Sequence, residues 1–182
     1  MHVVALVIGL GWIGFWAYWF IASATAKSGT TRWQGFVGVR LALIMIALVL
    51  VHTRTFRGYR VTDKPALWAV GLLLWALGLG LAVWARLYIG RNWGTPMSRK
   101  DDPELVTNGP YALVRHPIYS GIILALIGTS LAISVYWLVA VVLLGSYFIY
   151  SATKEEQYMT TVFPDSYPDY KRSSKMLIPF VF

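Results

Sequence analysis

From Pro117 to Tyr150 the chain runs 34 residues without an Asp, Glu, Lys or Arg. As one straight helix at 1.5 Å per residue it would be about 51 Å long, far more than the roughly 30 Å of a bilayer's hydrocarbon core. The run must therefore fold back on itself, and the break falls at Ala132 to Tyr136 (AISVY). The expectation is a tight helical hairpin near the C-terminus whose second arm continues past the lipid towards Glu155. Composition agrees: 57% of residues are hydrophobic and only 13% charged, which is not the balance of a soluble fold.

Two further runs, Val3 to Ala22 and Ala66 to Ala85, are uncharged over 20 residues each and long enough to cross a membrane as helices. Gly35 to Val51 is shorter and contains Arg40, which must snorkel, pair or line a polar cavity. The sequence thus predicts one all-α, polytopic membrane domain over residues 1–182 with about five transmembrane helices. Ala22-Ser23-Ala24 has the small residues of a signal-peptide cleavage site, but Met1 to Val3 holds no Lys or Arg and the apolar run is long for that purpose. With no cysteine in the chain, disulfides, thiolate metal sites and a cysteine nucleophile are excluded.

The net charge of +8 is of the kind that draws basic proteins to nucleic acid, but here the Lys and Arg residues fall in the short connections between apolar runs. They report orientation instead. Two lie in the first connection, four in the second, five in the third and four in the tail. With five helices and the N-terminus outside, 11 fall inside against 4 outside. The third connection and the C-terminal tail then share the cytoplasmic face.

Gly9, Gly11 and Gly14 spell G-x-G-x-x-G, but inside an apolar run and without a strand-turn-helix context they read as close-packing glycines of a membrane helix. His2, His52 and His116 have no metal-ligand spacing, so no metal is implied. The third connection is different. GPYALVRHPIYSG, Gly109 to Gly121, sets Arg115 and His116 directly before Pro117 at the mouth of the long apolar run. Asn108-Gly109-Pro110 reads as a turn. Pro117 suits the first turn of a helix, where a missing N–H costs nothing, so Arg115 and His116 sit beside exposed amides that favour anions. The ordinary alternative is a membrane-boundary anchor of Arg and Tyr. In the tail, Glu155 and Glu156 lie one turn beyond the apolar run and are followed by Tyr158, Phe163, Tyr167 and Tyr170. Paired glutamates are usually a solvated helix face, yet here they share a side with Arg115 and His116. An anion-binding helix end opposite carboxylates suits a zwitterionic ligand.

These stretches resemble the integral-membrane methyltransferases typified by isoprenylcysteine carboxyl methyltransferase, with the phospholipid N-methyltransferases as relatives. The likeness is carried weakly by GRNWG (Gly90 to Gly94), strongly by ELVTNGPYALVRHPIYSG (Glu104 to Gly121), and well by EEQYMTTVFPDSYPDYKRSSKMLIP (Glu155 to Pro179). It implies a cofactor-binding half over about 86–182 with S-adenosyl-L-methionine as methyl donor, capped by a cytoplasmic tail. The implied cofactor contacts are Glu104, Leu105, Val106, Tyr111, His116, Pro117, Ile118, Tyr119 and Glu155, with Arg115 and Glu156 as candidate catalytic residues. The implied partners are a lipophilic small-molecule or lipid-modified acceptor and the membrane lipids, with no nucleic acid.

The chain departs from that pattern in two places. Phe163-Pro164 stands where the family often has Phe-Gly. Ser151 stands where the carboxyl methyltransferases have the arginine assigned to the acceptor; Lys154, Arg86 and Arg91 are the nearby cations to replace it. An amine N- or thiol S-methyltransferase therefore stays open beside the carboxyl enzyme. A nicotinamide-dependent reductase on a sterol-reductase-like scaffold and a non-catalytic membrane protein are the readings of other classes.

Overall fold

The computed structural model of the chain describes residues 2–23, 29–31, 65–93, 98–100 and 103–182. Their long helices are α1 (His2–Ser23), α2 (Pro65–Ile89), α3 (Pro117–Ala132) and α4 (Trp137–Val162), and a short α5 (Tyr167–Ser173) lies in the tail. α1, α2 and α4 are each long and apolar enough to cross a membrane, and α3 is a shorter apolar helix of 16 residues. The chain is an integral membrane protein. The expected span at Gly35 to Val51, with Arg40, lies outside the described residues. Among the described residues, a two-stranded antiparallel ribbon joins β1 (Gly29–Thr31) to β2 (Ser98–Lys100), pairing Gly29 with Lys100 and Thr31 with Ser98.

The hairpin breaks where the charge-free run requires it, between Ala132 and Trp137. α3 descends for 16 residues and α4 has 26. At equal rise per residue, α4 is level again with Pro117 near Thr153, so Glu155 and Glu156 return to the height of His116. The remaining turns project beyond the start of α3 and end at Val162, where Phe163 and Pro164 leave helical geometry.

α3 is the central helix. Its uncharged surface cannot be drawn to neighbours by a hydrophobic force within lipid, so close packing must hold it. Gly121 and Gly128 on α3 face Gly78 and Gly71 on α2, at seven-residue spacing on both helices. A Cβ at Gly78 would lie 2.4 Å from the Ala125 backbone nitrogen, and one at Gly128 2.3 Å from that of Trp75. Of the glycines read as packing residues in α1, only Gly11 meets a described neighbour, the Trp75 ring, whereas Gly9 and Gly14 face open space among the described residues. α1 instead packs through aromatics: Trp12 Nε1 donates to Thr129 Oγ1 on α3 at 3.1 Å, Phe15 stacks on Trp19, and Trp19 meets Trp93 edge-on.

The C-terminal ends of α1, α2 and α4 and the start of α3 gather at one end of the bundle. Arg86, buried near the end of α2, joins the first two: its guanidinium donates to the carbonyls of Gly90 (2.7 Å) and Ala22 (2.6 Å) and lies over the Trp93 ring. The tail closes the same end. Val114 bridges Lys175 in parallel, and the Arg115 and His116 amides donate to the Lys175 and Met176 carbonyls at 2.7 and 3.1 Å.

Candidate active site

Gly109 adopts φ +59°, a conformation open chiefly to glycine, and starts a short 3-10 turn, Gly109–Ala112, packed against Tyr88. The turn buries Tyr111, whose hydroxyl donates to the Ala85 carbonyl at 3.3 Å and whose own carbonyl accepts from Tyr170 at 2.6 Å. Burial pushes both phenols well above the ordinary tyrosine range, so both remain proton donors. Four residues after the turn ends, His116 occupies the N-cap position of α3, with Pro117 at the first helical position.

At that helix mouth the side chains foreseen from sequence converge. The rings of His116, Tyr119 and Phe148 form a near-parallel stack, with centroids 5.4 and 4.5 Å apart. The Tyr119 hydroxyl donates to Glu155 Oε1 at 2.7 Å. His116 lies between the two carboxylates, Nδ1 3.4 Å from Glu155 Oε2 and Nε2 3.5 Å from Glu156 Oε1. Burial alone would lower the histidine's pKa, but hydrogen bonding and charge from Glu155 and Glu156 more than offset it and raise the value above 6.5.

Arg115 and Glu156 are paired to each other. Nε of Arg115 donates to Glu156 Oε1 at 2.7 Å, and its Nη1 reaches the carbonyls of Ser174 and of Lys171, the latter at 3.3 Å. The Lys171 ammonium meets the other Glu156 oxygen at 2.9 Å. The buried Glu156 charge is thus matched by two cations and a histidine, as a charge in such a setting requires. Sequence reading did not anticipate Lys171 or the Ser174 carbonyl in this network, because no spacing links a helix mouth to a tail some 60 residues away.

The other sequence candidates divide. Pro117 is buried at the first turn of α3, and Ile118 packs against the core. Glu104, Leu105 and Val106 lie on the non-helical segment that leads into the Asn108 turn; Glu104 accepts from Asn92 Nδ2 at 2.9 Å. Arg86 is engaged in joining the ends of α1 and α2, and Arg91 is exposed on the turn after α2. Lys154 points to the exposed face of α4, over the Tyr150 ring and 3.4 Å from Gln157 Oε1, not back towards Ser151. Ser151 is fully buried, and neither its hydroxyl nor that of Tyr147 has a hydrogen-bond partner among the described residues. Tyr147, Ser151 and Glu155 recur every fourth residue along one face of α4. Tyr147 was not singled out from the sequence, although its spacing to Ser151 and Glu155 carries the signal.

An eukaryotic intramembrane Ras methyltransferase, isoprenylcysteine carboxyl methyltransferase, superposes with a TM-score of 0.58 at 24% identity, over 84% of this chain and 54% of that one. Protein-S-isoprenylcysteine O-methyltransferase of Schizosaccharomyces pombe is 36% identical over 85 residues, which are 46% of this chain and 36% of the relative. The nickel-cobalt-cadmium resistance protein NccN of Alcaligenes xylosoxydans xylosoxydans is 27% identical over 80% of this chain and 63% of its own length. The chain thus spans between about a third and just under two thirds of the curated relatives it matches. The phospholipid methyltransferase family profile matches residues 66–166, from the start of α2 through the Arg115-His116-Pro117 mouth and the Glu155–Glu156 pair to the end of α4. A match over more than half the chain that takes in the whole helical hairpin establishes that the chain belongs to the phospholipid methyltransferase family.

Proposed function

We propose that the chain is an S-adenosyl-L-methionine-dependent methyltransferase that acts on a lipophilic acceptor at the membrane boundary. One observation carries this reading: a histidine and two carboxylates are held together at the mouth of an apolar helical hairpin. The cofactor is a zwitterion that also bears a sulfonium, and the donor set fits it. His116 with the α3 amides suits its carboxylate, and Glu155, against which Tyr119 is fixed, suits a cationic group. Bound there, the cofactor would supply an activated methyl group for in-line displacement. The chain's own work is then positioning and exclusion of water. The ring stack shields the site on one side, and Arg115 and Glu156 act as positioning residues that seat the tail. Tyr111 and the 104–106 segment would supply further cofactor contacts, as the resemblance implies.

For the acceptor, the orphaned hydroxyls of Ser151 and Tyr147 support a neutral amine, thiol or comparable nucleophile. A carboxylate at that depth needs a cation, and Lys154, Arg86 and Arg91 are all engaged or directed elsewhere. A hydroxyl can bond a neutral group without one. The experiment is a titration of purified protein with S-adenosylhomocysteine and with a reduced nicotinamide cofactor, followed by transfer of isotopically labelled methyl to amine, thiol and prenylcysteine acceptors. S-adenosylhomocysteine should bind, and His116→Ala and Glu155→Ala should each weaken it by about 1–3 kcal/mol. Unchanged affinity in both folded variants would remove the site, and binding of the nicotinamide cofactor instead would favour a reductase. Efficient turnover of prenylcysteine, undiminished in Lys154→Ala, Arg86→Ala and Arg91→Ala, would refute the acceptor assignment.

A further inference from the structure

Past the site the tail changes character. From Lys175 to Leu177 it runs parallel to Val114–His116, the segment that leads into α3. Ser120, in the first turn of that helix, donates to the Leu177 carbonyl at 2.6 Å, and Leu177 itself is buried in the core with Tyr119, Ile122 and Phe148. The tail therefore heads in the direction in which α3 enters the membrane and reaches the depth of its first turn. Residues 178–182 then close on themselves: the Leu177 and Ile178 amides donate to the Phe182 carbonyl at 2.7 and 2.5 Å, and the Phe182 amide donates back to Ile178 at 3.0 Å. This leaves an outward face of apolar side chains, with Phe180 87% and Val181 73% exposed beside Ile178 and Phe182. Of the exposed basic side chains before it, Lys171 is paired with Glu156 and Arg172 with Asp169, Lys175 lies nearest the loop, and none of residues 170–182 is acidic.

We propose that this loop is an interfacial anchor. Ile178, Phe180, Val181 and Phe182 insert at the headgroup–acyl boundary of the leaflet at the mouth of α3, and Lys175 lies against anionic headgroups. A loop that pairs much of its own backbone polarity and shows only apolar side chains suits that layer. A lysine just above it is attracted to an anionic leaflet. Because Leu177 and the Lys175 and Met176 carbonyls are joined to the His116 mouth, the anchor fixes the tail over the site. The proposal depends on the membrane placement of α3 and not on the methyl-transfer reading, and its test does not measure activity.

The chain has no cysteine, so a single Phe180→Cys or Val181→Cys carries one fluorophore in the otherwise unchanged chain. Asp165→Cys, on the exposed turn after α4, is the aqueous control. The proteins are reconstituted into phosphatidylcholine vesicles with and without phosphatidylserine. Iodide should quench positions 180 and 181 at least about threefold less than position 165, and lipids carrying a nitroxide near the headgroup should quench both. Phosphatidylserine should deepen the protection, and Lys175→Gln should remove most of that gain. Equal iodide quenching at 165, 180 and 181 would overturn the anchor, and indifference to phosphatidylserine would overturn the anionic assignment. Protection that rises with the protein-to-lipid ratio, without nitroxide quenching, would identify the loop as a contact between copies of the chain and also overturn the anchor.

Discussion

At the scale of single residues, His116 holds a proton more firmly than a free imidazole because Glu155 and Glu156 flank it. Its raised value sets the sign of a pH effect. The stabilisation is fully present below about pH 6.5, where the unfolded histidine is also protonated, and is lost as pH rises through the higher folded value. Thermal unfolding in detergent should therefore show stability falling as pH rises above about 6.5. His116→Gln should flatten that slope while remaining folded. A slope unchanged in the variant would assign the effect to another group. The sequence disclosed which residue types would meet here, but the pairing of Arg115 with Glu156 and Lys171 had to come from the fold, since each of the three lies on a separate element.

At the scale of elements, the hairpin was legible because geometry forbids a single 34-residue crossing. The partner of its first arm was not. The facing pairs Gly71 with Gly128 and Gly78 with Gly121 repeat at seven residues in both helices, whereas the more conspicuous glycine pattern in α1 has mostly open space around it. A pattern of small residues shows that close approach is allowed, not which helix approaches. Gly78→Ala and Gly128→Ala should each cost about 1–3 kcal/mol, because the new methyl meets backbone that cannot yield. Gly80→Ala, with nothing near it among the described residues, should be neutral or stabilising by up to about 1 kcal/mol. Denaturant titration of the three variants in mixed micelles measures the contrast, and equal effects at all three positions would contradict the interface.

At the scale of the whole molecule, the ends of α1, α2 and α4 and the start of α3 meet at one end, which holds the site. The proposed orientation puts that end in the cytoplasm and the N-terminus outside, from the excess of Lys and Arg in the connections gathered there. Reporter fusions at both termini should give an external N-terminal and a cytoplasmic C-terminal signal. A cytoplasmic N-terminus would separate the site from a soluble methyl donor and remove the proposed function with it.

The sequence alone determined that this protein is a helical membrane protein, where its last hairpin turns, and which motif stands at the helix mouth. Those follow from chain length against bilayer thickness and from the conformational limits of proline and glycine, which are local properties. Only the tertiary structure decided that Arg86 joins two helix ends instead of facing an acceptor, that Lys154 turns away from Ser151, and that Tyr147 and Ser151 are left as orphaned hydroxyls among the described residues. A long cationic side chain can reach in several directions from one position on a helix, and what neighbouring helices offer it, a carbonyl, a carboxylate or an aromatic face, selects among them.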